Sequence, residues 1–265
     1  MTLPTLFIPH GGGPCFFMNP GAEPDPMWIP MRDYLAGLIA DLPERPRAIL
    51  LVSGHWEEDI ATVHAGAQPG LLFDYHGFPE HTYRLRWDAP GSPDLARRVT
   101  GLLDGAGFPV GEERERGWDH GVFIPMMVAV PDADIPLVQL SLRRDLNPAA
   151  HIAIGAALAP LRDEGVLIVG SGMSFHNLRV RGDAAVAPST AWDDALTQAV
   201  THPDPARRAV RVAAWRDLPN AAFSHPREEH LLPLMVALGA GGAGRAVRDY
   251  AGQVMGWAVS GYRFG

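Results

Sequence analysis

Along this chain, apolar runs of four to seven residues alternate with longer segments in which apolar positions recur at helical spacing. A run without polar alternation suits a strand buried on both faces, and its alternation with amphipathic stretches predicts an α/β fold. Strands are expected over Thr5 to Pro9, Ala48 to Ser53, Ile60 to Ala65, Ile135 to Leu142 and Val166 to Gly170. Helix starts are marked by Ser92-Pro93 and Asn147-Pro148, each a capping side chain followed by proline at the first helical position. Thr190 with Asp193 has the spacing of a capping box, and Pro226 is expected to open a last helix running to Leu238. The tail "GWAVSGYRFG" follows a glycine-rich turn at Gly239 to Gly244 and reads as a late edge strand. Glycine and proline, 29 and 25 of the 265 residues, are spread throughout, so they mark turns and not a linker. No repeat or compositional break divides the chain. The expectation is a single domain over residues 1–265, with a central, mostly parallel or mixed sheet flanked by helices and any site at the carboxyl ends of the strands.

Composition narrows the partners. With 47% apolar residues a chain of this length can bury a sizeable core. A formal charge of -8 disfavours nucleic acid or an anionic membrane, both of which demand a basic footprint, and points to a small-molecule ligand. The single cysteine, Cys15, cannot form an internal disulfide, which fits a reducing compartment. The start "MTLPTLFIPH" lacks the basic region of a signal peptide, and the longest weakly polar stretch, Gly121 to Pro131, is too short to span a bilayer. A cytoplasmic location is therefore expected, and a homodimer is the commonest arrangement for soluble enzymes of this size. All 22 cationic side chains are arginine. Without lysine there is no Schiff-base chemistry, no pyridoxal attachment and no phosphate-binding P-loop.

Candidate chemistry rests instead on the eleven histidines. The segments "LFIPHGGGP", "ILLVSGHW" and "VLIVGSGMSFHN" share a plan: a buried strand, a glycine-bearing turn and a histidine, namely His10, His55 and His176. Strand carboxyl ends in an α/β sheet open onto one crevice, so the three imidazoles can converge there. Imidazole both ligates mid-sized transition metals and moves protons near neutral pH. The "HGGGP" turn lacks the spacing of a dinucleotide or P-loop fingerprint, and Ser171 in "GSGMS" does not sit in a GxSxG nucleophile elbow. In "SHPREEHLLPLMVAL", His225 and His230 lie five apart, about 140° around a helix, so they do not share a metal. His230 falls on the apolar stripe with Leu234 and Leu238, whereas Glu228 and Glu229 read equally as charges in a first helical turn. His120, in "ERGWDHGVFIP", stands where a charged stretch turns apolar, and His76 in "FDYHGFPEHTY" has the surroundings of a pocket for a flat ligand. His81 has weaker surroundings of the same kind, and His64, His151, His202 and His225 have contexts that read as structural.

With these residues in view, the chain resembles the class III extradiol ring-cleaving dioxygenases, specifically the 4,5-DOPA dioxygenase type related to the catalytic subunit of protocatechuate 4,5-dioxygenase. The resemblance runs the whole length through "PHGGGP", "SGHW", "GFPEHTY", "APGSP", "GWDHG", "PDADIPLVQLSL", "GSGMSFHNLR" and "PREEHLLPL", in that order. It implies a mononuclear non-haem Fe(2+), or Zn(2+), held by His10, His55 and a residue of the "EEH" segment. Helical phase favours His230 for that place, with Glu229 as runner-up. It further implies that His176 is the acid/base histidine, close to the metal, and that His120 contacts substrate. The implied substrates are a small aromatic diol and O2. Arg179 and Arg227 are candidates to meet a substrate carboxylate. A zinc-dependent hydrolase is the first competing reading, because a histidine-rich site with an open position also activates water. A non-catalytic metal-binding member of the same fold is the second.

Overall fold

The computed structural model describes residues 1–265. Eight strands form one mixed sheet: β1 (Thr5–Pro9), β2 (Ala48–Glu58), β3 (Ala61–His64), β4 (Val110–Glu113), β5 (Leu137–Arg143), β6 (Val166–Gly172), β7 (Ala246–Val254) and β8 (Trp257–Phe264). Their spatial order is β4-β3-β5-β2-β6-β1-β8-β7. The inner four, β5, β2, β6 and β1, run parallel, while β8 joins β1 antiparallel. Eight helices flank the sheet: α1 (Ile29–Gly37), α2 (Pro93–Gly105), α3 (His120–Ala129), α4 (Pro148–Leu158), α5 (Asp183–Val200), α6 (Pro205–Ala213), α7 (Ala221–Ser224) and α8 (Leu232–Gly241). This is the α/β architecture, with a mixed sheet, that the alternating pattern predicts. Residues 49–52 of β2 are fully buried because both sheet faces are covered, which is why that run reads as continuously apolar. No helix is long and apolar enough to cross a membrane.

Ser92 and Asn147 cap α2 and α4 as expected, each side chain accepting from the backbone N–H three residues on. Four expectations are corrected. Helix α5 begins at Asp183, so Thr190 lies inside it and donates to the carbonyl of Val186 instead of capping. Helix α8 begins at Leu232, with Pro233 in its first turn, and residues 226–231 form an irregular approach to it. It runs on to Gly241 because Gly239 allows a close crossing: a Cβ there would lie 2.0 Å from the carbonyl oxygen of Ile152 in α4. Finally, the C-terminal strand β8 is internal, and the edge is β7, whose polar, half-exposed sequence carries little strand signal.

One irregularity sets up the site. Strand β2 continues past the expected end at Ser53, but its pairing with β5 jumps from Val52↔Leu140 to Glu57↔Leu142. Residues 53–56 therefore bulge against a single residue of β5, and a bulge re-aims side chains at the end of a sheet. His55 lies within that bulge.

Candidate active site

The parallel strands deliver their carboxyl ends to one edge. His10 follows β1, His55 sits in the bulge of β2, and His176 follows β6 across a short turn. His230 comes from the approach to α8, which lies directly on β6. A Cβ at Gly172 would stand 2.1 Å from the carbonyl oxygen of His230, so only glycine admits the segment at this distance. The same carbonyl accepts a hydrogen bond from the Met173 N–H at 3.0 Å. His230 thus reaches the site by backbone docking, and the premise of a helical stripe is corrected, since the residue precedes the helix.

Three imidazoles meet. Nε2 of His55 is 3.3 Å from Nε2 of His10 and 3.2 Å from Nε2 of His230. Their other nitrogens are each assigned a partner. Nδ1–H of His10 donates to Ser171 Oγ at 3.2 Å, because that hydroxyl spends its own proton on the carbonyl of Gly121. Nδ1–H of His230 donates to Glu229 Oε1 at 2.8 Å, and Nδ1 of His55 faces Asp74 Oδ2 at 3.5 Å. The two bonds set the tautomers of His10 and His230, and the Asp74 carboxylate favours the same tautomer in His55, with bare Nε2 lone pairs turned toward one another. Such a convergence is repulsive alone and suits a shared cation. Nitrogens each about 2.1 Å from one ion stand roughly 3.0–3.4 Å apart, the separation seen here, so the residues fit a mononuclear divalent metal. Burial first, and then the neighbouring histidines, holds His10 and His230 well below the ordinary imidazole range. Burial, with His120 next, pushes His55 down to about 3, although Asp74 works against it. All three rings are neutral, as ligands must be.

Two further histidines flank the trio. His120 opens α3, and its Nδ1 and backbone N–H both donate to Asp74 Oδ1, at 2.8 and 2.9 Å. His176 stacks on His230 with centroids 3.4 Å apart, and its Nδ1 stands 3.4 Å from Glu229 Oε1. Neither Nε2 has a hydrogen-bond partner in the protein, and both side chains line the cleft described below. Burial is the largest single influence on the carboxyls of Asp74 and Glu229 and raises both, but hydrogen bonds from His120 and His176 respectively, added to backbone N–H groups and the attraction of nearby basic side chains, together outweigh it and hold both acids below their ordinary range. They are anions that each face two rings, Asp74 bonding His120 with His55 at 3.5 Å, and Glu229 bonding His230 with His176 at 3.4 Å. Glu229 therefore serves the far sides of His176 and His230 and does not enter the Nε2 cluster.

The cluster forms the floor of a cleft of about 710 Å³ walled by Trp28, Tyr75, Phe78 and Trp257 among others, a slot suited to a flat ring. His76 is exposed on its rim, as its aromatic neighbours suggest. His81 instead bonds the carbonyl of Phe17. His64 and His151 are satisfied by backbone groups, His202 Nδ1 accepts from the N–H of Asp204, the residue that caps α6, and His225 is buried against Trp192 and Trp215. Neither arginine proposed for a carboxylate reaches the cleft. Arg227 is spent on Glu57 through two bonds of 2.5 and 2.6 Å, and Arg179 points to solvent. Arg181, which sequence reasoning passed over, lines the cleft and has no ion pair. Asp74 and Ser171 were also missed as orienting groups. Asp74 lies 19 and 46 residues from the two rings it serves, so no local spacing announces it.

Residues 4–265 match the family described as the catalytic LigB subunit of aromatic ring-opening dioxygenase. The chain belongs to this family, within the class III extradiol dioxygenases. Among curated relatives it is 40% identical to a 4,5-DOPA dioxygenase extradiol of Beta vulgaris over 75% of each chain. It is 36% identical to a fungal dioxygenase, tasH of Hapsidospora irregularis, over 99% of this chain and 85% of that one. The crystal structure of an uncharacterized Escherichia coli K12 protein superposes with a TM-score of 0.80 at 32% identity, covering 99% of this chain and all of the other.

Proposed function

We propose that the chain, as one catalytic domain over residues 1–265, opens the ring of a catechol beside its two hydroxyls, using a mononuclear non-haem metal and O2. The observation that carries this is the trio of neutral, pre-oriented Nε2 atoms of His10, His55 and His230 at the bottom of an aromatic cleft, with two unspent imidazoles beside it. Fe(2+) held there, with Zn(2+) as the other ion that suits the donors, would supply redox chemistry and open positions at which a diol and O2 meet.

The remaining work falls to the protein. Aromatic walls hold the ring flat and exclude water from it. Nε2 of His176 takes a phenolic proton as the diol binds and returns it as the ring opens, while Glu229 beside Nδ1 stabilises the imidazolium between those events. His120, fixed by Asp74, presents Nε2 to a substrate oxygen. The product of this chemistry is a ring-opened semialdehyde of the hydroxymuconic type.

The test is anaerobic reconstitution with Fe(2+), exposure to oxygen with a small panel of catechols, and ultraviolet absorbance of the products. New absorbance that tracks oxygen consumption one to one supports the reading. Activity on esters or amides with zinc, and none on catechols, would replace it with a hydrolase.

A further inference from the structure

Away from the metal-ligating histidine cluster, the start of α6, the turn at residues 243–244 and the start of β7 enclose a second cleft of about 580 Å³. We propose that this cleft binds a small oxyanion of the phosphate class. Its lining includes Arg208, Arg245 and Arg248 and no acidic residue, in a chain whose net charge is -8. Chance placement on so acidic a surface does not favour three converging guanidinium groups.

Arg208 is the central observation. The residue is 2% exposed, yet no carboxylate pairs with its side chain. Nε donates to the carbonyl of His202 at 3.1 Å and Nη1 to that of Gly244 at 2.8 Å, which fixes the plane of the fork and leaves Nη2 without a protein acceptor. A guanidinium stays protonated at any ordinary pH, and a buried charge lacking a counterion is costly. An anion seated in the cleft supplies the missing charge. Arg245 is exposed and has neither an ion pair nor a side-chain hydrogen bond. Arg248 gives one Nη2 bond to Asp193 at 2.5 Å, so its charge is already met. Two uncompensated cations on one cleft match a dianion, and rigid forks match the paired oxygens of a tetrahedral one.

The site is distinct from the metal-ligating cluster. Ala246 of β7 pairs with Phe264 of β8, which pairs with Thr5 at the start of β1, whereas His10 follows the other end of that strand. Five extended residues separate the two levels of the sheet, about 15 Å.

Titration calorimetry of the metal-loaded protein with inorganic phosphate, at ionic strength held constant with chloride, tests the proposal. Saturable binding of one phosphate per chain is expected. It should be weakened at least ~10-fold by Arg245→Ala and abolished by Arg245→Glu, positions whose side chains bond nothing else. Phosphate also ligates metals, so the titration is repeated on His10→Ala, where binding should persist. No saturable binding above chloride, unchanged affinity in Arg245→Glu, or loss in His10→Ala would each overturn the site. Arg208→Met should behave like Arg245→Glu where it folds, and the Arg245 pair decides where it does not.

Discussion

An imidazole has two nitrogens, and at this site each ring uses one for position and leaves one for chemistry. The three metal-facing rings differ from His120 and His176 in what surrounds Nε2, and separate outcomes follow. His10→Ala, His55→Ala or His230→Ala removes one of three ligands and should abolish tight binding of about one divalent metal per chain, measured by elemental analysis after dialysis. Glu229→Gln keeps the ring in place with a weaker acceptor, so affinity should fall only about 10-fold to 100-fold, the usual cost of losing an orienting partner. The reverse ranking would make the carboxylate the third ligand. His176→Gln should retain metal and still bind catechol without oxygen, yet turn over roughly 10²-fold to 10⁴-fold more slowly, as expected for loss of a general acid/base. Metal lost together with activity would make His176 a ligand instead. Arg181 is the one cation in the cleft wall without an acid beside it. Arg181→Ala should therefore raise KM about 10-fold for a carboxylate-bearing catechol and leave plain catechol unchanged. Equal effects on both would remove Arg181 from recognition.

At the scale of elements, positions near the site are set by how closely backbones approach. Gly172 and Gly101 make the contrast in one experiment. Gly172→Ala forces a Cβ against the His230 carbonyl 2.1 Å away, a backbone atom that cannot swing aside. It should cost about 1–3 kcal/mol or more in urea unfolding and loosen the metal, because His230 must move. Gly101 lies in α2 with nothing within 4 Å of its would-be Cβ, so Gly101→Ala should stabilise by about 0.5–1 kcal/mol and leave metal affinity alone. If Gly172→Ala kept both properties, docking through β6 would not be what places His230. The same distinction explains what was legible in the sequence. β1, β2, β5 and β6 announced themselves because burial on two faces leaves continuous apolar runs, and His10 and His55 were legible because they sit at the ends of such runs. Strand β7 buries only three of its nine residues and pairs only with β8, so nothing in its composition separates it from a loop. The bulge in β2 and the irregular 226–231 segment are tertiary devices. They depend on Ser141 and Gly172, which are distant in sequence, and period analysis does not see them.

At the scale of the whole molecule, several histidines are buried in their neutral form, and acid should expose this. His225 is completely buried, gives Nε2–H to the Ser174 carbonyl at 2.9 Å and leaves Nδ1 without a partner. Burial pushes its pKa down from 6.5 to about 4. The unfolded chain therefore takes up a proton before the folded one does, and the sign follows. Stability from this residue is complete above pH 6.5 and is lost as pH falls toward about 4. The loss is about 2 kcal/mol by pH 5 and approaches about 3 kcal/mol at lower pH. His10, His55 and His230 bend the same way in the metal-free protein, so the acid limb of the stability curve should be steep. His225→Gln isolates one component, since the amide can still donate to Ser174 and does not titrate. Urea unfolding of the metal-free protein at pH 7.5 and pH 5 should show the wild type losing about 2 kcal/mol more than the variant between the two conditions. Parallel losses in both proteins would mean that His225 finds a proton acceptor or a water in the fold, and that its burial does not couple stability to pH.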